Sequence, residues 1–301
     1  MPRTKPKPAP GPPRSAPPPT VSGRWLLAAF AIMIPAAGFC AWAVLCLLFW
    51  QGSWQLLYHP TSAVMRTPAA AGLAFYSIAF ATSDSGATEL TGWWIPAIPS
   101  ARYTILYLHG ADGNLGDTVD DLARLHSAGV DVMAFDYRGY GQSRFVHPGE
   151  SNWRQDAESA LQYLTATRHI DPHKIVLVGS GLGANLALEV AAAHPELAGV
   201  LLESPLDAPV NAIFADPRAR LVPAHLLVSD RYDAAAPAAA LRIPSLWFFQ
   251  YAQPQQIGSP QSFSAFEKVP AAKTQVWLPP SPDPNRIFRA EFSRWIETLN
   301  K

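Results

Sequence analysis

Cysteine is nearly absent. Of 301 residues only Cys40 and Cys46 carry a thiol, and both lie in the most apolar stretch of the chain. Disulfides therefore do not shape the fold, and zinc-type cysteine clusters are excluded. Surplus charge is missing too: 23 Lys and Arg balance 23 Asp and Glu, so no basic excess points to nucleic acid as a partner. The Gly-rich run GSGLGA, 179–184, lacks the Lys-Ser/Thr of a phosphate loop and the companion acid of a dinucleotide fold. No metal-ligand spacing and no internal repeat is visible, and no metal or other cofactor is expected.

What the chain has in quantity is proline and apolar sequence. Residues 1–24 are Pro-rich, with Arg3, Lys5, Lys7, Arg14 and Arg24 and no acid, which reads as a solvated, disordered arm. From Trp25 to Trp50 runs WLLAAFAIMIPAAGFCAWAVLCLLFW, without a charged residue and longer than the roughly 20 residues that cross a bilayer. Trp25 and Trp50 bracket it as interfacial aromatics do, and Pro35 is tolerable in a membrane helix. A cleaved signal peptide has a shorter apolar core and a small-residue cleavage site. This run ends in LCLLFW, and Phe39 before Cys40 makes a poor lipoprotein site, so an uncleaved anchor is expected. Basic residues precede the run and none follows until Arg66, which predicts a cytoplasmic N-terminus and an extracytoplasmic main domain.

Residues 54–301 read as one domain. GLAFYSIAFAT and ELTGWWIPA form an expected antiparallel pair around SDSGA. TILYLHG, VDVMAFDY, KIVLVG, GVLLES, PSLWFFQ and TQVWLPP read as strands. Helices are predicted over 115–128, 151–169, 184–194 and 286–300, and a mixed segment over about 206–240. Apolar runs alternating with helices imply an α/β fold, a mostly parallel sheet flanked by helices.

WQLLYHP, GWWIPA, LYLHGADGN, DYRGYGQS and VGSGLGAN, in that order, resemble motifs of the alpha/beta-hydrolase superfamily, and most of all its membrane-anchored, serine-aminopeptidase-like branch. The resemblance runs from about Trp54 to Leu299 and implies the alpha/beta-hydrolase fold preceded by one transmembrane helix. It also implies an acyl-transfer site: a serine on a strand-to-helix elbow with small residues two before and two after, followed in the chain by an acid and then a histidine.

Gly179 and Gly183 have the flanking spacing, but the tip between them is Gly181. Ser180 is the alternative nucleophile, although its own flanking positions would be the bulky Val178 and Leu182. The loop before the last helix, LPPSPDPNRIF, holds no histidine, and none follows His225; Asp283 stands near the expected place of the base. His194 and His225 lie elsewhere and read as surface or capping residues. Gln253 stands where relatives usually carry the acid, while Asp207 would serve one strand earlier. The resemblance makes Ala111 and Leu182 backbone donors of an oxyanion hole, with His109 and Gly110 shaping the loop. Asp136, Arg138, Gly139 and Gly141 are expected to shape a turn beside the cleft, and Asp112 reads as a surface residue.

Three readings follow. One is a non-catalytic member, tethered through 25–50, whose cleft could accept an acyl or carboxylate ligand or a partner. Another is a working serine hydrolase with Ser180 as displaced nucleophile. In the third the domain is mainly structural, with the Pro-rich arm contacting a protein partner that the sequence does not name.

Overall fold

The computed structural model describes residues 11, 22–99, 101–250, 263–279 and 283–299. The rest of the Pro-rich arm and Gln253 lie outside the described residues. The chain divides into two compact units, Met1–Leu47 and Leu48–Lys301.

Helix α1, Gly23–Gly52, accounts for the described structure of the first unit apart from its N-terminal edge and continues into the second. Thirty residues at roughly 1.5 Å each give about 45 Å of helix. Its large apolar side chains point outward all round, from Trp25 and Leu27 to Ile34 and Phe39, and Pro35 lies within it unbroken. It is long and apolar enough to cross a membrane.

The second unit is built on an eight-stranded sheet. Its strands are β1 Tyr76–Ala81, β2 Thr88–Ile95, β3 Thr104–Leu108, β4 Asp131–Asp136, β5 Ile175–Ser180, β6 Gly199–Glu203, β7 Ser245–Gln250 and β8 Lys273–Leu278. Their spatial order is β8-β7-β6-β5-β3-β4-β2-β1. From β8 across to β4 all neighbours are parallel; β2 runs antiparallel to both β4 and β1. The continuous apolar central strands are what a sheet covered on both faces requires. All five residues of β3 and of β6 are buried.

The main helices are α2 Val119–His126, α3 Glu150–Gln162, α4 Leu182–Ala193 and α9 Pro284–Thr298; the short α5 Asn211–Ala215, α6 Ala224–Leu227, α7 Ala235–Ala240 and α8 Phe263–Lys268 lie between α4 and α9. One sheet face takes α2 and α9: Leu122, Leu125, Phe288, Phe292 and Trp295 close over Ile105, Val132, Val176, Val178 and Phe248. α4 lies along β5 and β6, with α3 and α7 beside it.

Two predicted helices change form. That over 115–128 begins as a 3-10 turn, Leu115–Thr118, because Asn114 and Asp117 cap each other's backbone at its start. That over 151–169 widens into a π-turn at Tyr163–Thr167, where the Thr165 hydroxyl bonds the carbonyls of Leu161 and Gln162. The mixed segment resolves into α5, a 3-10 turn Pro217–Leu221, α6 and α7.

A buried ion pair lies under the sheet's C-terminal edge. Arg124 of α2 reaches both carboxylate oxygens of Glu203 at the end of β6, at 3.1 and 2.8 Å, and Asp121 at 2.9 Å. Its guanidinium lies 3.6 Å from the ring centroid of Phe288. Arg124→Ala would leave Glu203 buried and unpaired. Denaturant unfolding of the full chain should show a loss of about 3–5 kcal/mol, with most of it recovered in an Arg124→Leu/Glu203→Leu pair.

Candidate functional site

The sheet's order reverses direction at β3: β4 lies on one side of it and β5 on the other. In open α/β sheets such a switch point leaves a crevice at the strands' C-terminal ends. Here the loop after β3 and the turn after β5 line it.

One residue separates β5 from α4. Gly181 makes the whole reversal with φ 56° and ψ −121°, a conformation strained for any residue with a Cβ. Its neighbours are glycine for a different reason, close approach. A Cβ at Gly179 would collide with the backbone of Gly183 and Ala184, and one at Gly183 with the carbonyls of Leu108 and His109. A Cβ built on Gly181 meets nothing within 4 Å among the described residues. The Gly181 N–H donates to the Glu203 carbonyl at 2.9 Å, pinning the tip to β6.

Ser180 belongs to β5, in register with Glu203 of β6. By strand alternation its side chain shares the face of Val176 and Val178, the face packed under α2 and α9. Among the described residues no histidine hydrogen-bonds its hydroxyl. Leu182 opens α4, and the loop before Ala111 approaches the elbow: a Cβ on Gly110 would touch the Ser180 carbonyl at 3.4 Å. The Ala111 carbonyl is held by the His59 N–H at 2.9 Å and the Tyr140 hydroxyl at 2.8 Å.

His109 is buried against Tyr137, Tyr140 and Trp153. Its Nδ1–H donates to the Gly110 carbonyl at 2.8 Å, while Nε2 has no hydrogen-bond partner among the described residues and stands 3.9 Å from Asp136 Oδ1. Desolvation drives its pKa down to about 4, so the ring is neutral at pH 7. Asp136 is buried and accepts the Leu115 N–H at 2.9 Å; burial raises its pKa to about 6. Gly141, at φ 49°, lies where a Cβ would strike that carboxylate. Arg138 clamps Asp156 through its backbone N–H at 2.8 Å and its Nε at 2.6 Å, and Gly139 takes φ 95° beside it.

The acids and histidines that the sequence singles out are dispersed. Asp207 is exposed and accepts the Ser264 hydroxyl at 3.2 Å. Asp283 caps α9 by accepting the Arg286 N–H. His194 ends α4 between Glu158 and Glu196, which raise its pKa against the opposing effect of partial burial. His225 packs on Phe214 with ring centroids 4.0 Å apart and the rings tilted by 37°. Among the described residues no group of three or more His, Cys, Asp or Glu could hold a metal ion.

Sequence reasoning missed two features. His59 and Pro60 form a two-residue parallel ladder with Asp112 and Gly113, and His59 Nδ1 meets Asp112 Oδ1 at 2.7 Å on the exposed surface beside Ala111. Asn185 of α4 donates to the Leu206 and Tyr232 carbonyls and accepts the Leu206 N–H, tying the helix to the mixed segment. Neither has a local sequence signal, since each joins residues more than twenty positions apart.

The alpha/beta hydrolase family profile matches residues 105–299. The chain belongs to the alpha/beta hydrolase family. It is similar to an uncharacterised protein of Mycobacterium tuberculosis, 27% identical over 203 residues, 66% of this chain and 69% of that one. It is similar also to alpha/beta hydrolase domain-containing protein 17C of Mus musculus, 32% identical over 126 residues, 42% and 39% of the two chains. Among solved structures, the Pyrococcus furiosus esterase Pf2001 superposes with TM-score 0.62 over 80% of this chain and 98% of its own, at 16% identity, a likeness of fold alone.

The glycines make separable predictions. Gly181→Ala, with no clash among the described residues but a positive φ, should lower stability by about 1–3 kcal/mol. Gly183→Ala, driven into two carbonyls, should cost more, and thermal unfolding of the two variants would rank them. His109 makes a second. The unfolded chain protonates a histidine near 6.5 and the folded one only near 4. Its contribution to stability is therefore complete above 6.5 and lost as pH falls toward 4. In an NMR titration its ring resonances should stay still from pH 7 to 5 while those of His194 move.

Proposed function

We propose that the chain is a membrane-anchored, non-catalytic member of the alpha/beta hydrolase family that binds a ligand or partner through the crevice at Gly181. One observation carries this reading: the residue whose backbone is forced to the strained apex has no side chain with which to attack. The loop where the fold would place a general base holds no histidine, and an orienting acid without a base does nothing catalytic. The backbone N–H groups of Ala111 and Leu182 survive such losses, because they do not depend on side chains. A crevice with those donors suits an acyl or carboxylate oxygen. Helix α1 would hold the domain at the membrane, with the basic arm on the cytoplasmic side.

The rival reading is an acyl hydrolase using Ser180. Its best support is the exposed His59–Asp112 pair beside Ala111, since a carboxylate on Nδ1 leaves Nε2 free as a base. Against it, Ser180 shares the sheet face covered by α2 and α9. Full-length protein treated with a fluorophosphonate probe should show no adduct at Ser180, and Gly181→Ser alone should not bring ester hydrolysis above background. Stoichiometric labelling of Ser180, or strong activity from that single substitution, would overturn the non-catalytic reading. Alkaline carbonate washing should leave the full chain in the membrane fraction.

A further inference from the structure

Immediately after the apolar run the chain turns through the 3-10 segment Ser53–Leu56, and there the second unit forms a pocket of about 340 Å3. Among the described residues none of the Gly181 turn is in its lining. Trp50, Trp54, Ile213 and Leu227 give it apolar walls; His147 and Asp230 give it polar ones. The Trp54 and His147 rings are stacked, 5.0 Å between centroids. Asp230 Oδ2 accepts the Tyr58 hydroxyl at 2.5 Å, and Tyr58 is joined in turn to the Tyr232 hydroxyl at 3.0 Å.

The charge balance of this pocket is one-sided. The neighbouring Arg231 directs its guanidinium to the carbonyls of Val228, Asp230 and His225, not to the Asp230 carboxylate. Among the described residues Asp230 has no ion-pair partner. A carboxylate without a cation, in a pocket that two tryptophans also line, is a setting for an ammonium group, which gains from charge and from an aromatic face. Large apolar side chains stand exposed near the mouth: Trp50 in the wall itself, Leu226 next to Leu227, and Phe145 edge-on to His147. Isolated exposed apolar residues need no explanation, but a group around one cavity does.

We infer that this pocket binds the headgroup of a membrane phospholipid bearing a primary ammonium, of the ethanolamine type, with its acyl chains left to the apolar rim. The inference rests on the membrane-anchored reading, because that reading brings the end of α1, and with it Trp50 and Trp54, to the bilayer surface. The cavity is at the lower end of the size range of small-ligand sites, which fits a headgroup better than a whole lipid.

The test uses the full-length protein in mild detergent, with native mass spectrometry after addition of dioleoylphosphatidylethanolamine or dioleoylphosphatidylglycerol. One ethanolamine lipid should bind about tenfold more tightly than the glycerol lipid. Asp230→Asn keeps an acceptor for Tyr58 and should erase that preference. Gly149→Trp should abolish the bound lipid. Its backbone is extended (φ −174°, ψ 156°), and a Cβ there meets only Asp230 Oδ1, at 3.8 Å. Unchanged melting temperatures would show that both variants fold. Equal binding of the two lipids, or a bound lipid that survives Gly149→Trp in a folded protein, overturns the inference. If carbonate strips the wild-type chain from membranes, the membrane reading fails and the inference with it. If the chain resists carbonate yet shows no preference, only the pocket assignment falls.

Discussion

Three backbones meet where β5 gives way to α4, and they meet without side chains between them. Gly179 touches the first turn of α4, and Gly183 touches the carbonyls that end β3. This contact leaves a single residue in which to turn strand into helix, and Gly181 makes that turn at a positive φ. The rest of the crevice follows from it. Loop 109–111 is pressed against the elbow, Leu182 begins its helix at the crevice, and the N–H of the tip is spent on β6. A side chain would cost about 1–3 kcal/mol at this φ, a strain worth keeping where the side chain reacts. Glycine keeps the bend and removes the strain.

The electrostatics beneath the elbow follow the same packing. Glu203 lies opposite Ser180 in the ladder, buried where an unpaired carboxylate could not stay ionised. Arg124 satisfies both of its oxygens from α2, and Phe288 of α9 covers the guanidinium. The pair thus joins the two helices of one sheet face to the strand beside the elbow. Ser180 shares that face, whose charges are already matched to one another. A serine in this position has the packing demands of a strand end, which is a different requirement from presenting a nucleophile to an open crevice.

Much of this architecture is legible because its signals are local. TILYL and KIVLVG read as buried strands from unbroken apolar runs, and the pair at 76–95 from alternation around a Gly-containing turn. The elbow reads from glycine spacing alone, since close backbone approach admits no other residue. What escapes is long-range and polar. Arg124 looks like a surface residue on an amphipathic helix until Glu203, 79 positions away, is placed beneath it. The His59–Asp112 pair depends on a ladder of two residues, too short to leave a pattern. The π-turn at Tyr163–Thr167 escapes because a helical period does not record where a threonine hydroxyl diverts a carbonyl.

The surviving parts of the crevice differ in what maintains them. Gly179, Gly183 and the buried His109 are held by packing, and the fold would suffer without them whether or not chemistry takes place. Gly181 is held by backbone strain alone, so nothing in the packing forbids a side chain there beyond its modest cost. A Cβ at this apex would meet no atom of the described residues within 4 Å. The pocket after α1 has the opposite character: Asp230 accepts the hydroxyl of Tyr58, which is joined in turn to Tyr232, yet among the described residues no cation pairs with the carboxylate. The Tyr58 hydrogen bond orients the half-buried carboxylate but leaves its charge unneutralised. On the proposed reading a ligand from outside the chain would match that charge, at Asp230 and not at the elbow.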